Sequence, residues 1–330
     1  MKILFCHRVT PELKEHYSSS LPKEMKLIFP EDLSEENLLQ YAADIDIVVG
    51  YKFSREFLTS AKKLIHIQVP WTGAESLDFN LLKEYSHITV SNSHSNSLAI
   101  AEHAVALLVS AAKNIVYRDS FMRNGDWTPR YNDIMSQWLT GKTLGVIGYG
   151  AIGRKVANIL RAGFDMRIMA IRRSEPEVYC DETSFSGTIE SLEHVLKNSD
   201  YILVALPFTS ETKGIIAEKE LSLLKENAVI VNVGRGKVID EEALYKFLKN
   251  KKMGGAGLDV WYNYPKDRNK PENTYQHYPF EELPFLVMSP HSAFKIEKRE
   301  IPFTEDIIKN LIAISQGLPP ENQIDLERGY

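Results

Sequence analysis

Short apolar runs alternate with amphipathic stretches along the first hundred residues. KILFCH (2–7), MKLIF (25–29), IDIVVGY (45–51), IHIQV (65–69) and HITVSNS (87–93) read as strands. Between them, LSEENLLQYA (33–42) and SREFLTSAKK (54–63) carry apolar residues at helical spacing. Strand–helix alternation predicts crossover units and a parallel sheet. Residues 97–114, SLAIAEHAVALLVSAAKN, are apolar almost all round, which predicts a helix buried on most faces. The stretch 118–142 is irregular and rich in aromatics, and reads as an arm that wraps something, a partner subunit being one option.

A second alternating series begins at Thr143. TLGVIGYG (143–150) predicts a strand and a turn, and RKVANILRA (154–162) a helix. MRIMAI (166–171), YILVAL (201–206), AVIVNV (228–233), MGGAGLDV (253–260) and FLVMSP (285–290) complete a doubly wound sheet, with helices at 189–197, 218–225 and 240–250. A last helix is expected over 295–317, returning to the first domain or bridging the two.

Composition narrows the class. With 330 residues, 44% hydrophobic and 25% charged, the chain has material for two globular cores. A net charge of −5 argues against a nucleic-acid binder. Cys6 and Cys180 lie far apart, so neither a disulfide framework nor a metal site is expected. His94 and His103 lack partners at metal spacing and are expected to be ordinary hydrogen-bonded histidines, with His103 packing in its helix. No apolar run approaches membrane-spanning length, and the N-terminal run is too short for a signal peptide, so the expectation is a cytoplasmic protein with no membrane partner.

Gly148, Gly150 and Gly153 form G-x-G-x-x-G between a strand and a helix, the context in which this spacing binds a dinucleotide. The helix N-terminus, with Ala151 and Ile152, offers free N–H groups to a pyrophosphate. An NAD site would place a carboxylate about 20 residues on, against the ribose hydroxyl. Arg172 stands there instead, followed by Arg173 and Ser174. A guanidinium suits a 2′-phosphate, so the cofactor expected is NADP, with NAD as the alternative. The competing explanation is a solvated basic turn.

VIVNVGRGKVIDEEAL (229–244) ends a strand with Arg235 between two glycines, and FLVMSPHSAF (285–294) ends another with His291. At the carboxyl ends of parallel strands, both would reach the ligand crevice. An arginine for a carboxylate, a histidine for proton transfer and a reduced nicotinamide suffice to reduce a 2-oxo acid.

These segments, with IHIQVPWTGAESLD (65–78), NSLAIAEHAVALL (96–108), ALPFTSETKGII (205–216), GLDV (257–260) and IDLERGY (324–330), resemble the D-isomer-specific 2-hydroxyacid dehydrogenases over essentially the whole chain. The resemblance implies an α/β protein with two doubly wound parallel-sheet domains. A Rossmann cofactor domain (97–292) would be inserted into a flavodoxin-like catalytic domain (1–96 plus 293–330). It also implies a homodimer through the 97–140 helix and arm. It assigns Arg235 to the substrate carboxylate and carbonyl, His291 to acid/base work, and Trp71, Thr72, Gly73 and Asn96 to the substrate. Leu206, Pro207, Thr212, Val233, Gly234 and Asp259 go to the cofactor. Trp71 either narrows the pocket or packs beneath its loop. The long loop 262–284 either covers the site or is a surface excursion. The activity expected is reduction of a small 2-oxo acid, glyoxylate or hydroxypyruvate, to the D-2-hydroxy acid. The alternatives are formate-type or phosphoglycerate-type dehydrogenation, or dinucleotide binding for regulation.

One position departs from the family. A glutamate usually stands five residues after the GLDV aspartate and pairs with the histidine; Tyr264 stands here, after Asn263. A nearby carboxylate would favour the imidazolium, whereas Tyr264 or Asn263 would hydrogen-bond His291 without a charge. Glu272 in the long loop is a third candidate. The expected outcome is a reduction rate that declines with pH earlier than in carboxylate-paired relatives. A kcat/KM profile flat to above about pH 8 would reject it.

Overall fold

The computed structural model describes residues 1–174, 183–250, 255–265 and 276–330. Cys180, Glu272, the start of MGGAGLDV and the middle of the long loop lie outside the described residues. The chain divides into two compact units, Met1–Asn96 with Ile296–Tyr330, and Ser97–Lys295.

The first unit is built on β1 (Lys2–Phe5), β2 (Lys26–Ile28), β3 (Ile47–Val49), β4 (His66–Gln68) and β5 (Thr89–Ser91). All pair in parallel, in the order β2-β1-β3-β4-β5. The crossover helices are α1 (Pro11–Ser20), α2 (Glu35–Ala42), α3 (Arg55–Ser60) and α4 (Phe79–Lys83). Each starts where a side-chain oxygen accepts a first-turn N–H: Thr10 from Leu13, Ser34 from Asn37, Ser54 from Phe57 and Asp78 from Leu81. Alternation along the strands makes two apolar faces. Leu4, Val48, Ile67 and Val90 pack with Leu38, Phe57, Leu58 and Leu81. Ile3, Phe5, Ile47 and Val49 pack with Tyr17 and with Ile307 and Leu311 of the C-terminal helix.

That C-terminal helix spans Glu305–Ser315, well inside the expected 295–317. Pro302, which has no N–H to give, fits only a leading turn, and a 3-10 turn over Pro302–Thr304 precedes the helix. Polar contacts fasten it to its own unit. The Asn310 amide donates to Gln68 Oε1 at 2.8 Å. The Asp306 carboxylate accepts the His94 N–H at 2.6 Å, and the Asp306 N–H donates to Ser95 Oγ at 3.0 Å.

The second unit opens with α5 (Ser97–Ala112) and α6 (Ile115–Met122). The expected irregular arm is thus helical at its start; Asn114 breaks α5 in the left-handed region, at φ 52°. Further along, Trp127, Tyr131, Met135 and Trp138 are exposed. The sheet comprises β6 (Thr143–Ile147), β7 (Arg167–Ile171), β8 (Phe185–Gly187), β9 (Tyr201–Val204), β10 (Val229–Asn232), β11 (Gly255–Leu258) and β12 (Leu286–Met288). Sequence pattern missed β8, whose FSG core has little strand signal. The order is β12-β11-β10-β9-β6-β7-β8, all parallel. Chain order reverses between β6 and β9, and the carboxyl ends at such a reversal are where doubly wound sheets form their ligand crevice. α7 (Ala151–Phe164) follows β6. Among the described residues no single helix is long and apolar enough to cross a membrane.

His66 on β4 is wholly buried; its Nδ1 lies 2.8 Å from Thr89 Oγ1, and its Nε2 has no hydrogen-bond partner. Burial lowers its pKa from 6.5 to about 4. The unfolded chain therefore takes up a proton below 6.5 that the folded chain refuses until about 4. This contribution is complete above pH 6.5 and is lost as pH falls toward 4, a difference of about 3 kcal/mol. Denaturant midpoints measured across that window should drop in the native chain, and drop less steeply in His66→Gln.

Candidate active site

The turn after β6 is shaped by what cannot fit inside it. Gly148 has φ +103°, and a Cβ there would lie 2.7 Å from the Ala205 carbonyl oxygen. A Cβ on Gly153 would lie 2.3 Å from the Gly148 carbonyl oxygen. Gly150 differs: nothing stands within 4 Å of its would-be Cβ. The two outer glycines close the turn, while the middle one faces open space. Gly150 caps α7 without a side chain, leaving the N–H groups of Ala151 and Ile152 to a ligand.

Tyr149, inside the same turn, is buried. The Arg172 guanidinium lies 4.6 Å over its ring. Arg172 Nε and Nη2 are buried with no hydrogen-bond partner. Arg172 is itself anchored, its N–H donating to Gly187 O at 2.9 Å. Arg173 and Ser174 are exposed beside it. A half-buried cation with two buried, idle donors fits an anionic ligand group, because such donors are costly to leave unmade. After β9, Leu206 and Pro207 lead into a loop closed by Thr212, whose hydroxyl donates to Pro207 O at 2.7 Å.

Three neighbouring strands then end in one polar residue each: Asn232 on β10, Asp259 after β11 and Ser289 after β12. Asn232 staples the next turn. Its Oδ1 accepts the Gly234 N–H at 3.0 Å, and its amide donates to Arg235 O at 3.0 Å. Arg235 is half-buried, its Nη1 donating to Gly234 O at 2.8 Å, with Val233 buried before it.

Asp259 staples the loop of His291. Its carboxylate, 2% exposed, accepts the N–H of Ser292 at 2.9 Å, that of Ala293 at 3.2 Å and the Ser289 hydroxyl at 2.6 Å. Burial opposes its ionisation, but the hydrogen bonds from His103, Ser289, Ser292 and Ala293 outweigh it and hold its pKa below the usual carboxylate range. His291 has φ +52°, a left-handed conformation uncommon for a residue with a side chain. The Tyr264 ring lies 5.3 Å from the His291 ring, and the Tyr264 hydroxyl accepts the Trp261 N–H at 3.2 Å.

In the first unit, the loops after β4 and β5 are tied together. The Thr72 hydroxyl lies 3.0 Å from Ser93 O and 2.7 Å from Asn96 Oδ1, and the Asn92 amide donates to Thr72 O at 2.7 Å. Trp71, Thr72, Gly73 and Asn96 therefore share one edge of that sheet. Trp71 is partly exposed, its ring 4.3 Å from that of Tyr51.

The sequence reading overlooked Tyr149, Asn232, Ser289 and Ser292. The signal was available: in VIVN, GLD and LVMS an apolar run stops on a residue that can cap a loop. His103, expected to be an ordinary hydrogen-bonded histidine packing in its helix, lies with Nε2 3.0 Å from Ser289 Oγ.

Comparison with known proteins places this geometry. Residues 105–293 match the model described as D-isomer specific 2-hydroxyacid dehydrogenase, NAD binding domain. The chain is 31% identical to a glyoxylate reductase of Thermococcus kodakarensis over an alignment 338 positions long that covers 98% of this chain and 96% of that protein. Among solved structures, a glyoxylate reductase from Paecilomyes thermophila superposes with a TM-score of 0.77 at 25% identity, covering 99% of each chain. An acyclic imino acid reductase in complex with NADPH and D-Arg superposes with a TM-score of 0.76 at 27% identity, covering 98% of this chain and 100% of that one.

The glycine turn separates folding from binding. Gly150→Ala should keep the native Tm and lose most of any Tm rise on adding a nicotinamide dinucleotide, since the methyl enters the open space at the helix N-terminus. Gly153→Ala should lower Tm by about 5 °C even without ligand, because the turn must open. Thermal melts of both variants, with and without dinucleotide, check this.

Proposed function

The chain belongs to the D-isomer specific 2-hydroxyacid dehydrogenase family, and from that premise we propose that it is an NADP(H)-preferring reductase of a small 2-oxo acid, glyoxylate or hydroxypyruvate, giving the D-2-hydroxy acid. The observation that carries this is the pair of stapled loops after β10 and β12, each held by a polar residue at the end of β10 or of its neighbour β11. Asn232 holds the turn of Arg235, and Asp259 holds the loop of His291.

The glycine turn and the N-terminus of α7 would hold a nicotinamide dinucleotide, whose ring would supply or take the hydride. Arg235 pairs with the substrate carboxylate and polarises the carbonyl through its second arm. His291 gives a proton to the carbonyl oxygen during reduction and takes it back during oxidation. Tyr264 or Asn263 orients that imidazole without charging it. Thr72, Gly73 and Asn96 contribute substrate contacts from the loops they tie. Preference for NADP rests on Arg172, whose two unpartnered nitrogens and stack on Tyr149 suit a phosphate beside an aromatic base. The exposed aromatics of the arm, with α5, suit the contact of a homodimer.

A panel of 2-oxo acids with NADPH and NADH, followed by nicotinamide absorbance, tests the proposal. Glyoxylate or hydroxypyruvate should be turned over faster with NADPH. The double change Arg172→Ala, Arg173→Ala should cut kcat/KM for NADPH about 10- to 100-fold, and that for NADH less than about threefold. Equal losses with both cofactors would remove the phosphate role. Tight NADPH binding with no turnover of any acid would favour a regulatory protein.

A further inference from the structure

We propose that His103 is a positioning residue for proton transfer, acting on His291 through Ser289 and the buried Asp259 carboxylate. This rests on the reading of His291 as the acid/base.

Proton counting fixes the direction of each bond. Ser289 Oγ lies 2.6 Å from Asp259 Oδ1, 3.0 Å from His103 Nε2 and 3.0 Å from Ser292 Oγ. A serine hydroxyl has one proton, and an ionised carboxylate can only accept. The Ser289 proton therefore goes to Asp259. His103 must donate from Nε2–H, and Ser292 must donate its hydroxyl proton. His103 Nε2 also lies 3.5 Å from Asp259 Oδ1, so its N–H dipole faces the same charge. The remaining acceptor sites of Asp259 take the N–H groups of Ser292 and Ala293, the two residues after His291. The Ser289 main chain is held too, its N–H on Leu258 O at 2.9 Å and its carbonyl on Trp261 Nε1 at 2.8 Å.

The loop needs this support because His291 sits at φ +52°. Left-handed backbone costs a β-carbon residue free energy, so it persists only where surrounding bonds impose it. Without the His103 donor, Ser289 Oγ loses one of its two incoming hydrogen bonds and Asp259 loses a facing dipole. The carboxylate can then rotate off the Ser292 and Ala293 N–H groups, and the imidazole leaves its line to the carbonyl oxygen. His103 stands on α5, whose other inward residues are mostly Ala and Leu. It is thus the polar residue by which that helix grips the reactive loop.

The test uses the whole enzyme with glyoxylate and NADPH. His103→Leu should lower kcat about tenfold or more, with KM and the NADPH Kd changed less than about twofold, because misplacement of the acid costs rate rather than binding. His103→Gln places an amide N–H where Nε2–H stood and should recover most of the loss. If the leucine variant does not fold, Ser289→Ala removes the oxygen His103 donates to and should show the same kcat loss. A leucine variant with native kcat, or one whose Tm falls while kcat per bound NADPH stays native, overturns the proposal. So does a glutamine variant that folds and is no better than leucine. His291→Gln separates the two levels. If it is inactive while His103→Leu is native, only the positioning role fails; if it turns over normally, the acid/base reading fails with it.

Discussion

A buried carboxylate holds a backbone segment that would otherwise relax. Asp259 accepts three hydrogen bonds from the segment around His291, and those bonds keep a histidine in the left-handed region. The bonds also keep the carboxylate ionised despite burial. Each side of the bargain supports the other: the loop solvates the charge, and the charge orders the loop. Asn232 does the same for the Arg235 turn with a neutral amide, suited to a turn that offers it both a donor and an acceptor.

Parallel strands make this arrangement natural. All seven strands of the second unit run the same way, so every strand-end loop emerges on one edge of the sheet. The glycine turn, the Arg172 stack, the Arg235 turn and the His291 loop all follow strands of that sheet. The glycine turn lies at the topological switch, with Gly148 against Ala205 and Gly150 facing open space. The first unit repeats the principle on a smaller scale. Its Thr72 and Asn96 loops follow β4 and β5, and its C-terminal helix is locked by Asn310 on Gln68.

Much of this was legible from the residues alone. Short apolar runs and helical patterns located most strands and crossover helices, because most of the strands are buried on both faces. The glycine spacing and the two arginines at 172 and 173 pointed to a dinucleotide phosphate turn, and the glycine-flanked arginine and the Pro–His pair pointed to the reactive loops. Weak local signals failed where packing overrides propensity. β8 forms because an edge of the sheet offers pairing to Phe185–Gly187, and the C-terminal helix starts late because of Pro302.

Chain order alone determined which residue types stand at which strand ends, since periodicity and glycine spacing are local properties. Tertiary structure alone decided how they meet. Asn232, Asp259 and Ser289 become neighbours only when β10, β11 and β12 pair in register, and His103, far away along the chain, reaches Ser289 only when α5 packs on that sheet. Long-range hydrogen bonds depend on register and crossover geometry, and neither is written in any local window of residues.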